Sequence, residues 1–130
     1  MPQTITPYLL YEDAGAAPEW LSNAFGFIEK ERIENSDGRV GHAAMDVGGG
    51  ASVFLGGPGG DYRSPKRLGA TTALVYLYVD DVDAHFAHAR EAGAEIVDEP
   101  ADQPYGDRRY SARDLEGQHW YFATPVAGRA

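Results

Sequence analysis

The chain has no cysteine. That removes disulfide frameworks and thiolate metal sites together, leaving imidazole and oxygen groups as the only ligands for an ion. Positive charge is scarce as well: 11 Lys and Arg stand against 20 Asp and Glu, a formal net charge of −9. Phosphate binding needs a basic patch, so no nucleic-acid partner is expected. No apolar run approaches a membrane span and no stretch reads as a secretion signal, so the expectation is a cytoplasmic protein with no membrane partner. None of the serines 22, 36, 52, 64 and 111 has a His at a nucleophile-motif spacing. The glycines 48–50 precede a strand-like segment rather than a helix, and no Lys-Ser/Thr follows, so they are not a phosphate loop.

What is present is a pattern of elements. At 130 residues the chain is one domain's worth. TITPYLLYE (4–12) reads as a strand, and APEWLSNAFG (17–26) has helical spacing, with Trp20 and Phe25 on the core stripe and Gly26 as its stop. Residues 27–35 read as a charged strand, SDGR (36–39) as a hairpin turn, and 40–47 and 51–55 as two short strands. A glycine-rich, linker-like stretch follows, then TTALVYLYV (71–79), the clearest strand. DDVDAHFAHAREAG (80–93) reads as a helix with acidic residues at its positive N-terminal end. Strands are expected at 94–98, 108–113 and 118–123.

The order β-α-β-β-β therefore occurs twice. Asp13 and Asp80, and Gly26 and Gly93, lie 67 residues apart, while Asp46 and Asp114, Gly49 and Gly117, and Phe54 and Phe122 lie 68 apart. Five pairs in order point to a duplicated module. The expected division is a first module at about 4–56, a linker at 57–70 and a second module at about 71–125 of one domain, 1–130.

Paired modules of this kind, each opening strand–Asp–helix, with the ending D-x-x-G-x-x-W-x-F-A in PYGDRRYSARDLEGQHWYFATP, resemble the vicinal oxygen chelate superfamily of glyoxalases, bleomycin resistance proteins and dioxygenases. The ending is similar to the bleomycin-resistance or PhnB-like branch. The resemblance implies an α+β fold: two βαβββ modules forming curled mixed sheets around a cleft, helices outside, commonly as a homodimer. It also implies, for the enzymes of the group, a divalent metal held by a His from the first strand and a Glu from the last strand of each module. In this chain those positions fall on Pro7 (or Thr6), Leu74, Val53 and Tyr121. None is a His or carboxylate, so no metal and no cofactor is expected.

Alternation along the strands gives the expected lining of the cleft. With Leu74 inward, Tyr76 and Tyr78 are inward too, and Val75, Leu77 and Val79 face the helix. The same rule sends Pro7, Leu9 and Tyr11 inward, with Val53, Leu55, His119 and Tyr121. Tyr11, His42, Val53, Leu74, Tyr76, Tyr78, Tyr105, Arg108, His119 and Tyr121 are the expected ligand-binding residues. Arg108, Arg109 and Arg113 border the cup, where a guanidinium could meet an anionic group on a ligand or only surface carboxylates. His85 and His88 read as solvated surface of an outer helix, and the linker with Arg63, Lys66 and Arg67 as a tether. Asp46 and Asp114 read as turn caps rather than catalytic groups. The function expected is metal-free binding of an organic small molecule, with an antibiotic as the leading class by resemblance. The alternative is a lyase, isomerase or dioxygenase-type enzyme with a metal displaced to His42 and His119, or a metal-free catalyst using Arg and Tyr.

Overall fold

Helix starts and stops are set locally. Asp13 accepts the Gly15 and Ala16 amides through Oδ1, both at 3.1 Å, at the entry to α1 (Ala17–Phe25). Pro18 is tolerated in its first turn, and Gly26, with φ of 78°, ends it in the left-handed conformation. Asp81 opens α3 (Val82–Glu91) by accepting the Ala84 amide at 3.1 Å.

In this computed structural model residues 3–126 are described. The strands are β1 (Tyr8–Leu10), β2 (Ile28–Glu34), β3 (Val40–Gly48), β4 (Ala51–Gly56), β5 (Leu74–Tyr78), β6 (Glu95–Asp102), β7 (Asp107–Arg113) and β8 (His119–Pro125), with a short α2 (Pro65–Leu68) before β5. They form two four-stranded sheets of the same order, β1-β4-β3-β2 and β5-β8-β7-β6. β1 runs parallel to β4 and β5 parallel to β8, and the other pairs are antiparallel. The protein is thus α+β, with two similar mixed sheets. Among the described residues no helix is long and apolar enough to cross a membrane.

β1 is shorter than the expected 4–12 and begins after Pro7, which has no N–H and contributes only its carbonyl, to Phe54 N at 2.9 Å. β6 runs past the expected 98 to Asp102, through Pro100. It is an edge strand with irregular pairing, so the missing amide breaks no regular ladder.

Each sheet turns one face to its helix. Val75 and Leu77 on β5 pack there as expected, with Trp120 and Phe122 of β8 buried beside them. Leu9, Val53 and Leu55 do the same in the first sheet. The two helix-side layers share one core: Phe25 of α1 lies 4.8 Å from the Phe122 ring and Phe27 lies 5.3 Å from Trp120.

His85, expected from sequence as solvated surface, is half-buried and pins the two helices together, whereas His88 is exposed as expected and adds a bond at the surface. His88 Nε2 donates to the Asn23 carbonyl at 2.8 Å and His85 Nε2 to the Phe25 carbonyl at 3.0 Å. A carbonyl can only accept, so His85 carries its proton on Nε2 and takes the Tyr110 hydroxyl on Nδ1, at 2.5 Å. Burial, more than any neighbouring charge, holds its pKa below the usual imidazole value. The unfolded chain therefore binds a proton here that the folded chain refuses. The contribution of His85 to stability is flat above about pH 6.5 and declines as pH falls below it. Urea midpoints at about pH 5.5 and 7.5 should differ more for the wild type than for His85→Gln, and equal differences would remove His85 as the cause.

Candidate functional site

The face of the second sheet away from its helix carries a polar aromatic surface. Cross-strand register sets Leu74 opposite His119, Tyr76 opposite Tyr121, Ser111 opposite Tyr121 and Arg109 opposite Ala123. Their side chains share that face by alternation. The Tyr76 and Tyr121 rings lie 6.0 Å apart, and His119 meets Tyr121 edge-on at 4.9 Å. Tyr76 and Tyr78 both donate to Asp107 Oδ2, at 2.6 and 2.9 Å, passing over the small Ala123. Burial, then the bond to Asp107, raises the Tyr76 pKa, so it stays a phenol. Arg109 sits with Cζ 4.5 Å above the Tyr121 ring, and its Nη1 donates to the Tyr105 hydroxyl at 2.9 Å. Burial pulls the His119 pKa down, helped by Arg113, so its imidazole is neutral.

The first sheet has a smaller counterpart. Tyr8, His42 and Phe54 pack edge to face, with the Tyr8 hydroxyl hydrogen-bonded to His42 Nδ1 at 2.8 Å. Gly56 makes room for them, since a Cβ there would stand 2.7 Å from the Tyr8 ring.

Between β1 and β5 lies a cavity of about 650 Å³, with Leu9, Leu74, Tyr76 and His119 among its walls and Tyr62 and Leu68 from the chain around α2. The expected tether is thus part of a wall, and it is fastened down. Tyr62 donates to the Leu10 carbonyl at 2.7 Å, and Lys66 N to the Glu116 carbonyl at 2.9 Å. Glu12 takes the Ser64 amide at 2.8 Å and Arg67 at 2.7 Å, bonds that hold its carboxyl down to about 2.

The structure brings Leu74, Tyr76, Tyr78, Tyr105, His119 and Tyr121 to one face, and sets His42 on the open face of the other sheet. Three expected site residues lie elsewhere. Tyr11 and Val53 are buried in the core, with Leu9 and Leu55 on the same side. The cause is a one-residue slip, which in a strand exchanges the two faces. Ladder partners pair Tyr8 with Phe54 and Tyr76 with Tyr121, so Phe54 corresponds to Tyr121 and not to Phe122. Arg108 points to the opposite face of β7, where it bridges Asp83 of α3 at 3.1 Å and Asp102 at 3.2 Å. Its neighbour Arg109 is the arginine on the open face. Strand parity within β7 alone separates the two, once one residue of that strand is placed. Tyr8, Phe54, Tyr62 and Asp107 are also additions to the site.

The same correction moves the implied metal positions to Thr6, Phe54, Leu74 and Tyr121, one hydroxyl and one phenol among them. Among the described residues no three His, Asp or Glu converge as ligands for an ion. His42 is engaged with Tyr8 and stands 3.7 Å from the exposed Glu31, on a different sheet from His119. These residues do not fit a catalytic divalent ion.

Residues 4–122 match the model of the Glyoxalase/Bleomycin resistance protein/Dioxygenase superfamily. An uncharacterized protein of Mycobacterium bovis is 36% identical over 127 residues, which cover 94% of this chain and 83% of that one. The crystal structure of TioX from Micromonospora sp. ML1 is 35% identical, with a TM-score of 0.74 over 98% of this chain and 100% of that one. TnmS3, an antibiotic binding protein from Streptomyces sp. CB03234, shares the fold at 22% identity, with a TM-score of 0.65 over 97% of this chain and 99% of its own. The chain belongs to the glyoxalase/bleomycin resistance protein/dioxygenase superfamily.

Proposed function

We propose that this chain binds an organic small molecule without a metal, on the open face of the β5-β8-β7-β6 sheet and in the cavity beside it. The observation that carries the reading is the shared wall: Tyr76 and His119 border the cavity and also pack against Tyr121 on the open face. A continuous apolar and aromatic surface with a few hydroxyls suits a flat or extended molecule. An antibiotic is the ligand class we favour, sequestered in the cytoplasm as in the bleomycin-resistance branch. TnmS3 supports that choice at the level of fold alone.

The working form is a homodimer. Tyr8, Leu10, Leu74 and Tyr78 are 51%, 41%, 44% and 59% exposed, an apolar content on the open faces that a second copy would cover.

Equilibrium dialysis of chelator-treated protein against planar and peptide antibiotics, bleomycin included, tests the reading. Expected is saturable binding of a ligand recovered unchanged, weakened at least about tenfold by Tyr121→Ala through lost ring contact. Binding that requires an added divalent ion, or a ligand that returns chemically altered, would sink it. Dialysis is preferred to tryptophan quenching because Trp120 faces the core, on the far side of β8 from the ligand.

A further inference from the structure

Two buried side-chain nitrogens in the described residues have no hydrogen-bond partner, Arg109 Nε and His119 Nε2. Both belong to residues that touch one ring: Arg109 lies over Tyr121 at 4.5 Å and His119 meets it at 4.9 Å. Buried polar atoms in native proteins are nearly always paired, so two orphans beside one tyrosine ask for a partner the chain does not supply. The charges around them are otherwise settled. Arg108 is held by Asp83 and Asp102, and Arg113 by Glu95 at 2.9 Å. Arg109 has no carboxylate at ion-pair distance among the described residues; its one direct hydrogen bond is to the Tyr105 hydroxyl. Of the acidic groups on the same side, Asp107 accepts the Tyr76 and Tyr78 hydroxyls and Asp98 accepts Ser111 at 2.8 Å. Arg109 is thus a cation held over an aromatic ring, beside a neutral imidazole that adds a polar atom without adding charge.

We infer that the ligand is an organic acid, with an apolar or aromatic body seated between β1 and β5 and one anionic oxygen group, carboxylate or ionised phenol, received over Tyr121 by Arg109 and His119. This rests on the binding reading above and specifies its ligand. The body follows from the cavity walls, Leu9, Leu68, Leu74 and Tyr76. The head group follows from the guanidinium, whose planar fork matches a pair of acceptor oxygens. His119 stands at the junction, lining the cavity and touching Tyr121.

The test uses 2-naphthoate and 2-naphthamide, which share a ring system and shape and differ in charge. Isothermal titration is done on the full chain, on Arg109→Gln, and on Arg108→Gln, whose arginine points away from the site. The acid is expected to bind the wild type at least about tenfold tighter than the amide, the scale of one charge-assisted hydrogen bond. Arg109→Gln should erase that preference, and Arg108→Gln should retain it. Equal binding of acid and amide by the wild type, or a preference that survives Arg109→Gln, overturns acid recognition and leaves the binding site standing. Binding of neither probe below about 1 mM, with circular dichroism unchanged, overturns both.

Discussion

Asp114→Ala is expected to lower the free energy of unfolding by about 3–5 kcal/mol, as does breaking a buried, fully bonded charge network from one side. Asp114 is 6% exposed and accepts four hydrogen bonds. Tyr11 and Trp120 Nε1 donate to Oδ2, at 2.6 and 3.0 Å, and the Glu116 and Gln118 amides to Oδ1, both at 3.0 Å. Burial pushes its pKa up even against those four donors, a measure of how dry the site is. Alanine leaves the donors facing a void, each orphan costing about 1–3 kcal/mol before water returns to the turn. Urea unfolding at pH 7, with the slope checked, measures the loss, and a change under about 1 kcal/mol would show that Tyr11 and Trp120 find other acceptors. Asn keeps the shape but turns an NH₂ toward Tyr11 and Trp120, so a loss of about 2 kcal/mol is expected. The bond also bears on function. Tyr11 follows β1 directly, and with Glu116 accepting the Glu12 and Asp13 amides it ties that strand to the second sheet. Loosening the tie moves the Tyr8–Leu9 wall of the cavity, so Asp114→Asn should bind ligand more weakly while still folded.

The duplicated order of strands and helices is legible because it rests on local signals: two strand–Asp–helix openings, two glycine stops and alternating runs. Leu74, Tyr76 and Tyr78 could be placed on one face because Val75 and Leu77, between them, are purely aliphatic and define the other. The first sheet offers no such contrast. LLY and VFL are apolar at every position, so parity had to come from aligning the halves, and Phe54 aligns with Phe122 in sequence while standing in for Tyr121 in space. In space Tyr8 corresponds to Tyr76, 68 residues on, and Phe54 to Tyr121, 67 on. Setting Pro7 against Leu74 and Val53 against Tyr121 therefore errs by one residue in each strand, and puts Tyr11 and Val53 in the cleft instead of the core. The Arg108 and Arg109 pair fails for a related reason: neighbours on a strand face opposite ways, and the partners that hold Arg108 on the helix side, Asp83 of α3 and Asp102, are not announced by any pattern local to β7. The docking of the linker was not legible at all. It depends on Glu12, Glu116 and Tyr62 meeting across 52 to 104 residues, with no local pattern to announce them.

Phe25→Ala is expected to cost about 3–5 kcal/mol, the usual loss for a buried aromatic. Phe25 is 3% exposed, the last residue of α1, with ring centroids of Trp20 at 5.2 Å, Phe27 at 5.7 Å, Trp120 at 5.9 Å and Phe122 at 4.8 Å. Two of those rings lie in the other half of the chain, so the substitution tests whether the halves unfold together. Trp20 and Trp120 provide one fluorescent probe in each half, read separately in Trp120→Phe and Trp20→Phe backgrounds. The two probes should report coincident midpoints with and without Phe25, because Phe27 against Trp120 and Tyr11 on Asp114 still join the halves. Separate midpoints would mean two weakly docked units rather than one core. Below its melting range Phe25→Ala should bind ligand like the wild type, unlike Asp114→Asn. Phe25 fills the helix side of the sheets, away from the cavity, whereas Asp114 holds the strand that walls it. The pair of variants therefore separates loss of stability from loss of the geometry that sets β1 against β5.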